Sequence, residues 1–319
     1  FTRRRMEQAA KRRDDEHAPN PELLDTEYKK HFQIRALTDE PYLLTPIAPV
    51  QEVTALYRTW QRDKREGSIA IVGEAGMGKS TLINQVVTAL CSKEEFGLDD
   101  TQVLRSRPKH KLSTEADVIQ FLSKDVFGFK TLPGSLAELE QAILDDPTPI
   151  VVVDDAHHFF LKRMDGLEAL NAFVHVVSVT CTNVFWITAF NAYSWFFIRN
   201  LKRSEPPFRH IVHLAPWSAL EIEGLILSRN AQTTHKANFQ DLVINRSDDH
   251  HTEYEVVKTK RSYFRLLGDI TGGNPSVALR YWLSSLKTEV DSPQSHRVGL
   301  YNPEAPNSLL NANSGSPSP

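Results

Sequence analysis

From Val50 to Leu214 the apolar positions alternate between two rhythms. Val53, Leu56, Tyr57 and Trp60 recur at helical spacing, so a helix is predicted from Val50. A short apolar run, Ser68–Val72, predicts a strand. It leads into a glycine-rich turn and a helix from Lys79 to about Cys91. Helical windows follow at Glu115–Val126 and Leu136–Leu144, then an unbroken apolar strand at Ile150–Val153. Residues 166–179 predict a buried helix, 183–189 a buried strand, Tyr193–Asn200 an aromatic helix and His210–Leu214 a further strand. Strands that are apolar throughout, each separated from the next by helices, predict an α/β fold whose parallel sheet is covered on both faces. Beyond Pro216 the strand signal fades. Ala219–Arg229, Glu253–Ile270 and Pro275–Leu286 all read as helices, so a small all-helical subdomain is expected after the sheet.

Ala169–Ile198 contains no Asp, Glu, Lys or Arg, and about 20 apolar residues suffice to span a bilayer. Asn171, His175, Ser178, Thr180, Thr182, Asn183, Thr188 and Asn191 interrupt the run, and each polar centre is costly in lipid. A buried helix followed by a buried strand is the better reading. The 319 residues, 40% apolar and 24% charged, exclude a wholly disordered chain, a collagen-like repeat and a polytopic membrane protein. With 37 basic and 40 acidic residues the net charge is −3, so no basic balance announces a nucleic-acid partner. Two cysteines, Cys91 and Cys181, exclude a disulfide scaffold. Residues 1–45 carry Arg3-Arg4-Arg5, Lys11-Arg12-Arg13 and then Asp14-Asp15-Glu16, which predicts a charged, solvated arm or a short helix. The chain begins at Phe1, not Met. We therefore expect upstream sequence, and the basic cluster would suit the cytoplasmic flank of an upstream membrane helix. Residues 289–319, rich in Ser, Pro and Asn, predict a disordered tail. Asp248-Asp249-His250-His251 lacks metal-ligand spacing and reads as a polar connection.

The strongest chemical signal is Gly73-Glu74-Ala75-Gly76-Met77-Gly78-Lys79-Ser80, followed by Thr81. It fits the pattern G-x-x-x-x-G-K-[ST] and has an apolar strand before it and a helix after it. Glycines let the backbone curl so that successive N–H groups converge on one polyphosphate, and the helix N-terminus adds a positive dipole. Lys79 can reach the β- and γ-phosphates, and the Ser80 hydroxyl can ligate Mg²⁺, a hard cation that prefers oxygen. The second carboxylate such a site needs is supplied where Ile150-Val151-Val152-Val153 runs into Asp154-Asp155. Asp154 is assigned to Mg²⁺ and Asp155 to orienting or deprotonating the attacking water, with a helix N-cap as the alternative for Asp155.

Residues 73–80, the strand ending Asp154-Asp155-Ala156-His157 and the helical subdomain together resemble an AAA+ P-loop ATPase. The likeness runs from about Tyr42 to Leu286, in the origin-recognition, transposition-regulator and secretion-accessory branches, with some similarity to STAND-type proteins. The resemblance implies a three-layer P-loop core over residues 46–216, a helical lid over 217–288, ATP with Mg²⁺, and homo-oligomerisation. It implies a sensor-1 polar residue at Asn191, for which a plain helix N-cap is the rival. It also implies an arginine finger among Arg199, Arg203 and Arg209, of which Arg203 is first choice. Thr271-Gly272-Gly273-Asn274-Pro275-Ser276 resembles the segment whose proline packs on adenine. Here, though, Ser276 stands where the family often has Arg, and Arg280 lies one turn on. Asp155 replaces the usual Glu and is one methylene shorter, which implies slow hydrolysis or a switch. The expected activity is thus a cytoplasmic ATPase, at the inner face of a membrane if a membrane helix lies upstream, acting through oligomers on a protein partner. The alternatives are an ATP-dependent DNA-binding regulator, a membrane-linked regulator and a non-hydrolysing binder. His157 and His158 are expected at the rim of the site. Trp186, Tyr193, Trp195, Phe196 and Phe197 are expected to form a packing seam.

Overall fold

The computed structural model describes residues 24–33, 46–92, 96, 98–163, 166–201, 207–239, 252–288 and 295–298. The chain divides into two compact units. One comprises residues 34–221 with 272–276; the other comprises 1–33, 222–271 and 277–319.

The first unit contains α2 (Ile47–Asp63), β1 (Ser68–Gly73), α3 (Lys79–Leu90), β2 (Val103–Ser106) and α4 (Glu115–Gln120), which continues into a π-helical turn at Phe121–Val126. Then come α5 (Leu136–Asp145), β3 (Ile150–Val153), α6 (Glu168–Thr180), β4 (Phe185–Asn191), α7 (Ala192–Leu201) and β5 (His210–His213). The five strands pair in the order β2-β3-β4-β1-β5, all parallel. Strands β1 and β3 are buried at every position, and β4 at all but its last. Their side chains alternate between two cores. Ile69, Ile71, Ile150, Val152, Phe185 and Ile187 pack with Tyr57 and Trp60 of α2 and Leu82 and Val86 of α3. Ala70, Val72, Val151, Val153, Trp186 and Phe190 pack with Val118, Leu139, Phe173 and Trp195 of α4, α5, α6 and α7. This is the expected three-layer P-loop architecture.

The uncharged run from Ala169 divides into helix α6, strand β4 and the start of α7, and its buried threonines find partners. The Thr180 hydroxyl donates to Val176 O at 2.7 Å and accepts the Trp186 indole N–H at 3.0 Å; the Thr188 hydroxyl donates to Ile69 O at 2.7 Å. Among the described residues no helix is long and apolar enough to cross a membrane.

Strand β2 escapes the sequence reading because it is an edge strand: Val103-Leu104-Arg105-Ser106 is only partly buried and ends in polar residues. The segment 217–288 contains the expected helical elements, α8 (Ala219–Ala231), α9 (Thr252–Thr271) and α10 (Pro275–Ser285). It also adds strands β6 (Lys236–Asn238) and β7 (Leu286–Thr288), which join β8 (Ser295–Val298) in a three-stranded sheet ordered β6-β8-β7. Strand β8 corrects the expectation of a tail disordered from residue 289; residues 299–319 lie outside the described residues. Three-residue strands carry too little periodicity to be read from a single sequence.

Within the N-terminal arm the short-helix alternative is what forms at residues 26–31, with one face buried instead of solvated. Residues Thr26–His31 form α1, capped by Asp25 and belonging to the second unit. Tyr28 is fully buried there. Its hydroxyl accepts the Trp282 indole N–H at 3.1 Å and donates to Asn230 Oδ1 at 2.9 Å. The Arg229 guanidinium donates to Gln33 O at 3.0 Å. Leu24, Tyr28 and Phe32 recur at i, i+4 and i+8 and are all buried, whereas the charged residues between them are not. The arm reads as solvated because its apolar stripe is short and surrounded by charge.

Candidate functional site

In parallel sheets of this type, ligands bind beyond the carboxyl ends of the strands. Register brings three of those ends together: Gly73 of β1 lies opposite Asn191 of β4, and Val153 of β3 opposite Thr188. The turn after β1 can curl because Gly76 (φ 84°) and Gly78 (φ 88°) adopt left-handed backbone that a side chain disfavours. A Cβ placed on Gly78 would have no neighbour within 4 Å, so the mouth of the loop opens onto a cradle.

At that mouth the Lys79 ammonium donates to Gly73 O and to Glu74 O, both at 2.9 Å. Burial pulls its pKa below the usual lysine range, while the carboxylates of Asp154, Asp155 and Glu74 oppose that shift. The Ser80 hydroxyl donates to Asp154 Oδ2 at 2.6 Å. Asp154 Oδ1 accepts the Asp155 N–H at 2.9 Å, and the Asp154 N–H donates to Ser106 O at 3.0 Å. Asp154 is 5% exposed, and a carboxylate that deep is costly without a cation. Two adjacent hard oxygen donors beside an open, N–H-lined loop fit a Mg²⁺–polyphosphate.

Asp155 has a left-handed backbone (φ 53°), rare for a residue with a side chain. It precedes the 3₁₀ turn Ala156–Phe159 without a side-chain cap bond, so the N-cap alternative is not what holds it. His157 Nδ1 lies 3.9 Å from Asp155 Oδ1. Burial lowers the His157 pKa, with Asp155 opposing, so the surroundings disfavour the charged ring. His158 Nδ1 lies 2.9 Å from Pro108 O.

Asn191 lies beside Gly73 at the end of β4, and its Oδ1 accepts the Tyr193 N–H at 2.9 Å, which is the helix-cap arrangement. Thr81 is half-buried in the first turn of α3. Pro275 opens α10, and exposed Arg280 falls in the other unit. Arg203 lies outside the described residues, as does the run 248–251. The Arg209 guanidinium lies 3.9 Å from Glu66, both exposed. The aromatic group splits: Trp186 and Trp195 are buried in the sheet core, whereas Tyr193 and Phe196 are exposed.

Sequence reasoning missed Arg105 and, although it singled out the segment 271–276, the contacts that Asn274 and Ser276 make. The Arg105 guanidinium, on β2, donates to Asn84 Oδ1; burial lowers its pKa and the Asp154 charge opposes that. Asn274 Nδ2 donates to Ala75 O at 2.9 Å, and the Ser276 hydroxyl donates to Gly76 O at 2.8 Å. The Gly-Gly-Asn-Pro-Ser segment marks a turn, but nothing in it signals a contact with a loop some 200 residues earlier.

Comparison with known proteins agrees with this geometry. Residues 61–190 match the family described as AAA domain. Among curated proteins none matches the chain. The fold is similar to that of the ORC1 protein of Aeropyrum pernix, solved in complex with DNA (TM-score 0.51, 12% identity, covering 78% of this chain and 62% of that one). It is also similar to Cdc6p of Pyrobaculum aerophilum (TM-score 0.52, 11% identity, 80% and 65%) and to the ORC2 protein of Aeropyrum pernix in its ADPNP–ADP complexes (TM-score 0.50, 15% identity, 79% and 64%). The chain thus spans less than two thirds of the length of each of these three proteins. A strand–glycine loop–helix, with a buried Asp at the end of β3 one strand away across β4, gives the first unit a P-loop fold, and residues 61–190 of it are similar to the AAA domain.

Proposed function

We propose that the chain binds ATP with Mg²⁺ and hydrolyses it, using the nucleotide state as a switch. The observation that carries this reading is the Ser80–Asp154 contact of 2.6 Å at the foot of the glycine loop. Gly73 to Thr81 would hold the polyphosphate, with Lys79 exchanging its loop carbonyls for β- and γ-phosphate oxygens. Ser80 and Asp154 would hold Mg²⁺, which when bound supplies positive charge at those phosphates. Pro275 would lie against the base. Asp155, turned out of the buried strand by its unusual backbone, would orient the attacking water and accept its proton. Asn191 would contact the γ-phosphate side of the site. The ADPNP–ADP complexes of the ORC2 protein support nucleotide as the ligand.

Asp155→Asn is expected to retain ATP binding while slowing hydrolysis at least about tenfold. Single-turnover phosphate release checks this, and a normal rate would move the catalytic role to another group. We further propose that subunits assemble and that Arg203 reaches a neighbour's nucleotide, acting on a protein partner. Arg203→Ala should then slow hydrolysis only at concentrations where sedimentation shows assembly. The DNA-dependent alternative draws on the ORC1 neighbour solved with DNA; the net charge of −3 gives it no support. ATP-dependent, salt-sensitive DNA binding would favour it.

A further inference from the structure

The outer side of the glycine loop is held by the segment Gly272–Ser276, which clusters with the P-loop unit. Asn274 Nδ2 donates to Ala75 O at 2.9 Å, and the Ser276 hydroxyl donates to Gly76 O at 2.8 Å. Asn274 Oδ1 in turn accepts the Ser276 N–H at 3.1 Å, which ties the two donors to each other. The packing is close: a Cβ on Gly76 would lie 2.8 Å from Asn274 Oδ1 and 2.9 Å from Ser276 Cβ. The segment is itself seated by Gly273, whose carbonyl accepts the Trp217 N–H at 2.9 Å.

A trans peptide is planar, with its C=O and N–H pointing in opposite directions. Fixing Ala75 O therefore fixes the Gly76 N–H, and fixing Gly76 O fixes the Met77 N–H. Both N–H groups then face away from Asn274 and Ser276, and the Met77 N–H donates at 3.3 Å to Glu74 O, the loop carbonyl that also takes the Lys79 ammonium. A polyphosphate cradle is a set of N–H groups already aimed inward, and a glycine loop left free loses that aim to backbone entropy. Two side-chain donors on the outer carbonyls, with the Ser276 N–H a longer third at 3.4 Å from Gly76 O, resist that loss without adding charge to the site.

We propose that Asn274 and Ser276 are positioning residues that set triphosphate affinity through the backbone of the loop, without touching the phosphate themselves. The proposal rests on the reading of residues 73–81 as a triphosphate site. Its test is calorimetric titration of the full chain with Mg·ATP, together with steady-state kinetics. Ser276→Ala and Asn274→Ala should each raise Kd and KM about fivefold, the worth of one hydrogen bond. They should leave kcat and the thermal midpoint unchanged. Ser276→Thr, which keeps the hydroxyl, should restore Kd. Without nucleotide, the Gly76 and Met77 amides should exchange with deuterium faster in Ser276→Ala than in the parent. Unchanged or tighter Mg·ATP binding in both alanine variants overturns the proposal, provided Lys79→Ala abolishes binding. If Lys79→Ala also binds normally, the triphosphate reading itself fails. Should one alanine variant not fold, the other, with the exchange measurement, decides between the same two outcomes.

Discussion

Lys79→Ala is expected to weaken ATP binding at least about a hundredfold, effectively abolishing it in calorimetry. The lysine is partly desolvated, its pKa is pulled down by burial, and its ammonium rests on two backbone carbonyls of its own loop. A triphosphate offers the same donor anionic oxygens in place of neutral ones. Hydrogen bonds between charged groups are worth about 1.5–3 kcal/mol each, so the loss of two accounts for the expected drop. Arginine should not rescue it, because a planar fork cannot occupy the place of a compact ammonium. Circular dichroism should stay unchanged, since the sheet core does not depend on this side chain. Unchanged affinity would remove the P-loop assignment together with everything built on it.

Tyr28→Ala is expected to destabilise the second unit by about 3–5 kcal/mol, the usual loss for a large buried aromatic. The ring is fully buried, against Phe32 at 4.8 Å and His235 at 5.1 Å between centroids. Its hydroxyl also serves both the Trp282 indole and Asn230. Tyr28→Phe keeps the ring but strands those two groups, for about 1–3 kcal/mol. Urea unfolding monitored by amide exchange in α10 separates the two variants. A neutral Tyr28→Ala would mean that α1 is an ornament and not part of the unit.

The central strands were legible because their burial on both faces leaves continuous apolar runs: Ile69–Val72, Ile150–Val153 and Phe185–Phe190 contain one hydroxyl, that of Thr188, and no charge. The phosphate loop was legible because its glycines and lysine are required by backbone geometry and charge at fixed spacing. Strand β2 was not, since an edge strand ending Arg105-Ser106 is chemically indistinguishable from a loop. Neither was the three-stranded sheet, whose strands are three or four residues long and whose β6 comes from a segment distant from β7 and β8. For Asn191 the helix-cap reading is the one with a hydrogen bond behind it. Its position beside Gly73 follows from strand register, while its side chain is engaged by the next helix. The Asn274 and Ser276 contacts were invisible because their acceptors are backbone carbonyls, which every sequence possesses.

The place of α1 in the second unit has a consequence for biosynthesis. Tyr28 meets Asn230 and Trp282 across separations of 202 and 254 residues, and the P-loop unit occupies most of the chain between them. Closing so long a segment is entropically unfavourable while it is still a flexible coil. A P-loop unit that has already folded shortens the effective loop. Domains tend to fold as they leave the ribosome, at about 5–20 residues per second. The N-terminal helix therefore waits roughly ten seconds or more for its partners, with Leu24, Tyr28 and Phe32 uncovered. That interval is when an aggregation inhibitor or chaperone should matter most for this chain.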